Sequence, residues 1–286
     1  MPVALIASLI AFQSSQEQKD YKAFSMAIVS EHVNTLPKVV NPYLGLATLT
    51  SAKKLNPDVL FKVVKRLVAT QEDPNKREEP TKYKNFVTSQ PGPTPLHKLA
   101  MMSGGGTEPL AAISRHNIYW ITKAILTAPS CDPNLLDSDD RQTRDTPLTL
   151  YLRWHYEQSG AFLKAMVESP KTDVNKRGGA QQQYPLHAAA WLGRLDWVKL
   201  LVEHGAKINI QKENGQTALH SAAMQNTKGN ADVITYLLKK GAKADLRSKG
   251  AIGYTQVTVA GAIAETPLEI AMRKGFKQII AVLSQN

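Results

Sequence analysis

Apolar residues along this chain fall into short blocks of two kinds. Blocks of the first kind open with a polar or aromatic residue, then Pro or Ala, then Leu: Thr94-Pro95-Leu96-His97, Thr146-Pro147-Leu148-Thr149, Tyr184-Pro185-Leu186-His187, Thr217-Ala218-Leu219-His220 and Thr266-Pro267-Leu268-Glu269. Pro in the second position suits the first turn of a helix, which does not need its missing N–H. Blocks of the second kind follow the third and fourth of these, as Val198, Leu200 and Leu201, then Val233, Ile234, Leu237 and Leu238. They give a longer helix one apolar side. Gly205 and Gly241 come next, placed to supply left-handed caps. The pattern predicts paired helices, short then longer, and its recurrence identifies a repeat architecture.

The clearest interval, from Tyr184 to Thr217, is 33 residues. With the tetrapeptides it resembles the ankyrin repeat. Residues 184–245 carry the whole family pattern: His187-Ala188-Ala189-Ala190, Gly193 and Gly205-Ala206-Lys207-Ile208-Asn209, then His220-Ser221-Ala222-Ala223 and Gly241-Ala242-Lys243-Ala244-Asp245. Small Ala residues let paired helices approach. The resemblance implies an all-α ankyrin-repeat solenoid, each repeat a short helix, a turn, a longer helix and a projecting β-turn.

The remaining intervals are irregular, at 52 residues from Thr94 to Thr146, 38 from Thr146 to Tyr184 and 49 from Thr217 to Thr266. Solenoids place insertions on loops, so residues 94–286 read as five ankyrin-like repeats with insertions near 103–116 and 249–264. The second insertion holds Tyr254-Thr255-Gln256-Val257-Thr258-Val259, an alternating β-branched run suited to a hairpin or an extended finger. Upstream, Asn41-Pro42-Tyr43-Leu44 and a helix over 58–68 predict a degenerate repeat within 41–93. Its long loop, 71–93, ends in Pro91-Gly92-Pro93 and reads alternatively as a subdomain boundary. Residues 1–40 are expected to form an N-terminal helical cap, a helix over 2–12 packing with one over 21–33. Terminal repeats need such cover. The apolar stretch 1–12 lacks the basic n-region of a signal peptide and is too short to span a bilayer.

A chain of 286 residues could hold one large core or two domains, whereas a solenoid buries apolar surface only between neighbours; the reading is one elongated domain. Cys131, the single cysteine, excludes an internal disulfide and a four-cysteine metal site. A reducing, cytoplasmic setting is expected. The net charge is +11 and the pI about 9.6, with clusters at Lys53, Lys54, Lys62, Lys65 and Arg66 and at Lys239, Lys240, Lys243, Arg247 and Lys249. Such an excess favours an acidic protein, an anionic lipid surface or nucleic acid as partner; a solvated helix face is the plain alternative. No base-stacking aromatics interleave with these clusters, so a protein partner is expected over nucleic acid.

Chemistry is scarce in the sequence. Gly104-Gly105-Gly106 lacks the Lys-Ser/Thr of a phosphate loop, and no His-Glu-x-x-His, paired-cysteine or Gly-x-Ser-x-Gly motif occurs. His97, His187 and His220 recur in register, and one active site has no use for a group repeated in every unit. The resemblance makes them structural, their imidazoles tying the turn backbones of adjacent repeats. Leu36-Pro37 and the residues after it are faintly similar to the start of an F-box, but the spacing is short and the expected tryptophan is missing. The expectation is a non-enzymatic protein with no cofactor, metal or small-molecule substrate.

Ankyrin repeats bind partners in the groove between β-turn tips and inner helices, and the family's variable positions carry over residue by residue. They fall at Met101 and Met102, at Arg153 and Trp154, at Gln181, Gln183, Trp191 and Leu192, and at Glu213, Asn214, Gln216, Met224 and Gln225. Aromatic residues, Met and Arg dominate interface hot spots. The alternative for Trp154 and Trp191 is that they merely cover the next helix pair. Trp197 stands at the family's buried second-helix position. The irregular spacing and Lys- and Gln-rich divergence are similar to ankyrin proteins that intracellular bacterial pathogens deliver into host cells. That likeness implies secretion into host cytoplasm and a partner that is a host protein or another delivered bacterial protein; a basic scaffold for nucleic acid or anionic lipid is the alternative.

Overall fold

Each recurring tetrapeptide begins a helix at its second residue. The computed structural model describes residues 15–39, 41–76, 82–83, 86–87, 94–101, 110–137, 144–154, 160–179, 183–249 and 264–285. The chain divides into two compact units, Met1–Thr172 and Asp173–Asn286.

The first unit contains α1 (Ser15–Val29), α2 (Pro42–Ala47), α3 (Pro57–Ala69), a two-stranded hairpin of β1 (Lys82–Tyr83) and β2 (Phe86–Val87), α4 (Pro95–Met101), α5 (Leu110–Leu126), α6 (Pro147–Trp154) and α7 (Ala161–Val167). The short helices α2, α4 and α6 pack in sequence, and α3, α5 and α7 form a second row. Leu96, Leu99, Ile121, Ile125, Tyr151 and Phe162 fill the space between. Helix α1 lies on α2 and α3, where Tyr21, Phe24 and Ile28 are buried. Gly45 makes that approach possible, since a Cβ there would stand 3.0 Å from the Phe24 ring.

The second unit contains α8 (Pro185–Trp191), α9 (Leu195–Glu203), α10 (Ala218–Ala223), α11 (Lys228–Lys239), α12 (Pro267–Lys274) and α13 (Lys277–Leu283). Helices α8, α10 and α12 form one row and α9, α11 and α13 the other. Ala189, Ala190, Ala222 and Ala223 are all fully buried where α8 and α10 meet. Between α8 and α9 the chain reverses at Gly193, whose φ of +68° favours glycine. Asn230 fastens this corner from α11, donating from Nδ2 to the carbonyls of Ala190 (2.9 Å) and Trp191 (3.2 Å).

Two ladders of side chains tie successive repeats within each unit. Nε2 of His97 donates to Asp145 O (3.0 Å), that of His187 to Gln216 O (2.9 Å), and that of His220 to Glu265 O (3.0 Å). The recurring histidines are thus structural, as the sequence implied. The second ladder is asparagine. Asn75 Nδ2 donates to Ser130 O (2.7 Å) while its Oδ1 accepts from Asp132 N (2.8 Å). Asn175 joins Gly205 O and Lys207 N in the same way, and Asn209 joins Gly241 O and Lys243 N. Asn134 Nδ2 reaches Lys171 O at 2.7 Å.

Several expectations shift in detail. The loop expected over 71–93 includes the β1–β2 hairpin. Of the insertion near 103–116, residues 110–116 are the first turns of α5, a helix of 17 residues. Helix α1 starts at Ser15 and ends at Val29, ahead of the expected 21–33, and a 3₁₀ turn, Val33–Thr35, follows it. The expected helix over 2–12 and the run 254–259 lie outside the described residues.

Candidate functional site

The second unit carries the better-defined candidate surface. Helices α8 and α10 lie side by side, ending at Trp191 and Ala223, so Trp191, Leu192, Met224 and Gln225 occupy equivalent helix-end positions. Trp191 is 38% exposed, and Leu192, Met224 and Gln225 are half-buried. Trp197, one turn into the next structure, is 1% exposed and is a core residue with the Arg194 guanidinium stacked 4.1 Å from its ring. The contrast between the two tryptophans follows from the helix they end or line: the α9 side faces both rows, whereas the end of α8 has no further turn to cover it.

Two projecting turns flank these helix ends. Gly178 and Gln183 exchange both main-chain hydrogen bonds (3.0 and 2.9 Å), which sets Gln183 at the base of the first turn. In the second turn Lys212 N donates to Gln216 O (2.9 Å), Gly215 adopts φ +75°, and Gln216 N donates to Asn214 Oδ1 (3.2 Å). Arg177 and Glu213 join the turns by an exposed ion pair of 2.9 Å. Asn214 O accepts from Lys249 N at 2.7 Å, tying this turn to the one beyond. Gln183, Asn214 and Gln216 are half-buried and Glu213 is exposed.

The site is electrostatically unusual at its floor. Burial depresses the His187 imidazole to about 3, and burial also lowers that of His220, so both rings are neutral donors at physiological pH. His220 Nδ1 in turn accepts from Thr217 N (3.1 Å). His187 Nδ1 has no hydrogen-bond partner among the described residues, because Tyr184 replaces the threonine that caps α4 and α10. Burial likewise pushes the Lys212 ammonium down to about 8.

In the first unit, α4 ends at Met101 and α6 at Trp154, and these helices also pack side by side. Arg153 forms an ion pair with the carboxylate of Asp145, itself 1% exposed. Its guanidinium is therefore engaged by a buried carboxylate, which the sequence did not reveal. Met102 and Gln181 lie outside the described residues, and for Met101 and Trp154 the description extends to the helix alone. Among the described residues no group of three or more His, Cys, Asp or Glu is placed to hold a metal ion, and no helix is long and apolar enough to cross a membrane.

The ankyrin repeat family matches this chain in three overlapping copies, over residues 109–212, 154–249 and 205–286. The chain belongs to the ankyrin repeat family. Human ankyrin repeat domain-containing protein 40 is 36% identical over 104 residues, which is 36% of this chain and 24% of that protein. Mouse protein phosphatase 1 regulatory subunit 27 is 39% identical over 89 residues, 31% of this chain and 53% of the relative. The match thus spans a quarter to a half of these relatives. The crystal structure of the ankyrin repeat protein EF0377 has the same fold, with a TM-score of 0.53 at 22% identity over 85% of this chain and 96% of that one. Ankyrin repeats are in general protein-protein interaction modules, and the arrangement of half-exposed aromatic, thioether and amide groups on a hydrogen-bonded frame is suited to contact rather than to bond chemistry.

Proposed function

We propose that this ankyrin-repeat protein is a non-enzymatic binding module that takes a protein partner on the surface formed by Gln183, Trp191, Leu192, Glu213, Asn214, Gln216, Met224 and Gln225. The single observation that carries this reading is Trp191, a large aromatic left 38% exposed at the end of an inner helix whose preceding residues, Ala188, Ala189 and Ala190, are buried. Exposed aromatics flanked by polar groups that hold fixed positions are the usual anchors of interfaces. Met101, Met102, Arg153, Trp154 and Gln181 belong to the same proposal at the equivalent helix ends and turns. In the first unit the Arg153–Asp145 pair makes Arg153 a weaker contributor than its neighbours.

The irregular intervals between repeats and the Lys- and Gln-rich divergence support the finer reading of a bacterial effector that binds a host protein or controls another delivered protein, acting in the host cytoplasm. A relative named as a regulatory subunit of a protein phosphatase is compatible with control exerted through a protein. Affinity capture from host-cell lysate with wild-type protein and with Trp191→Ala tests the proposal. A partner retained by the first and lost by the second supports it. Partners retained equally by both would remove the groove from the account.

A further inference from the structure

Besides the Gly178–Gln183 turn, three turns among the described residues are closed in the same way by the residue that opens them. Asp137 N donates to Asp145 O (2.8 Å), Lys212 N to Gln216 O (2.9 Å) and Ser248 N to Glu265 O (2.9 Å). In two of them the side chain completes the closure. Asp137 Oδ1 accepts from Asp145 N at 2.9 Å, and Ser248 Oγ accepts from Glu265 N at 3.0 Å. Lysine has no acceptor, and at the middle turn that duty passes to Asn214 Oδ1. The side chain at this position is thereby released from turn closure and is a cation.

Among the described residues that cation has no counter-charge. Lys212 is half-buried, with its ammonium near enough to the neutral rings of His187 and His220 to disfavour their protonation. Among the described residues no carboxylate pairs with it. The acidic groups of the neighbouring turns are committed elsewhere: Glu213 to Arg177, Glu265 to Arg273 and Glu269 to Arg247. Residues 180–182 and 250–263 contain no Asp or Glu at all. Partial burial of an ammonium disfavours its charged form, and it pushes Lys212 down to about 8. Lys249, whose main chain is bonded to Asn214, adds a second ammonium at this turn. Residues 173–286 hold fifteen Lys and Arg against eight Asp and Glu, so +7 of the chain's +11 lies in this unit.

We propose that the groove of the second unit takes an acidic protein segment, one of whose Asp or Glu carboxylates pairs with Lys212 between the two histidine ties. The inference rests on the groove reading above and names the chemistry of its partner. A slender carboxylate on a flexible stem reaches the ammonium of a half-buried lysine. Nucleic acid binds instead through many phosphates spread over an open surface.

The test uses the full chain and a displayed library of random dodecapeptides. Selected peptides should share an Asp or Glu whose amide replacement weakens binding about tenfold. Lys212→Gln should weaken them to the same extent, with no further loss when both changes are combined, while Lys243→Gln stays within about twofold of wild type. Lys212→Gln and Lys212→Met should melt no lower than wild type, since each removes a desolvated charge. Peptides that depend on Trp191 but ignore Lys212 would overturn the anchor and leave the groove standing. Equal losses in Lys212→Gln and Lys243→Gln would reduce the effect to diffuse charge and overturn it as well. Peptides indifferent to both Trp191 and Lys212, an empty selection, or displacement of the peptides by a DNA oligonucleotide at physiological salt would remove the groove reading itself.

Discussion

His187 Nε2 lies 2.9 Å from the carbonyl oxygen of Gln216, twenty-nine residues along the chain. This bond joins the first turn of one inner helix to the projecting turn before the next, and it requires a neutral ring. Folding holds His187 at about 3, far below the ordinary imidazole value of 6.5, and lowers His220 too. A depressed imidazole binds its proton more readily in the unfolded chain, so stability is complete above about pH 6.5 and is lost as pH falls below it. The expected loss is on the order of 1 kcal/mol per pH unit per fully buried ring. Urea unfolding between pH 7 and pH 4 checks this; His187→Gln should flatten the slope.

Asp145 acts with the opposite sign in the first unit. Burial raises its carboxyl to about 6 from 3.8, against the attraction of Arg153. Its contribution is therefore present below pH 4 and is lost as pH rises through 6. Relative to Asp145→Asn, the wild type should lose about 1–3 kcal/mol between pH 4 and pH 7, read by chemical denaturation of the two proteins across that range.

The asparagine ladder makes a separate prediction. Asn209→Ala deletes the bonds to Gly241 O (3.0 Å) and Lys243 N (2.9 Å) and leaves two main-chain groups to water. A cost of about 1–2 kcal/mol is expected, seen as a lower urea midpoint at unchanged helical content.

The histidine tie was legible because His187 and His220 recur in a fixed register with Leu and Ala. The asparagines share a signal that was open to reading: Asp73-Pro74-Asn75, Asp132-Pro133-Asn134 and Asp173-Val174-Asn175 each close an Asp-to-Asn turn at 2.8 Å. The signal is obscured because Asn209 lacks the preceding Asp and the spacing is irregular. Helix starts were legible from Pro and Thr at the caps. The extension of α5 back to Leu110 had a signal too, Thr107-Glu108-Pro109 immediately before it, masked by the Gly-rich run that precedes these residues. Trp197 was legible as a core residue from its second-helix register, and it is 1% exposed. The ion pair that occupies Arg153 was invisible, because Asp145 and Arg153 stand eight residues apart and meet only through the packing of α6 against its own preceding turn. Nothing in the sequence marks Lys212, since neither its half-burial nor the transfer of side-chain turn closure to Asn214 can be read from composition.

The most direct measurement compares Trp191→Ala with Trp197→Ala, reading thermal melting and partner affinity for each. Trp197 is 1% exposed, so its truncation should destabilise the second unit by about 3–5 kcal/mol through the cavity it leaves. Trp191→Ala should melt close to wild type and weaken the partner by about 2 kcal/mol or more, roughly thirtyfold. A Trp191→Ala protein that binds its partner as wild type does would contradict the groove, and one that unfolds would make Trp191 a core residue instead.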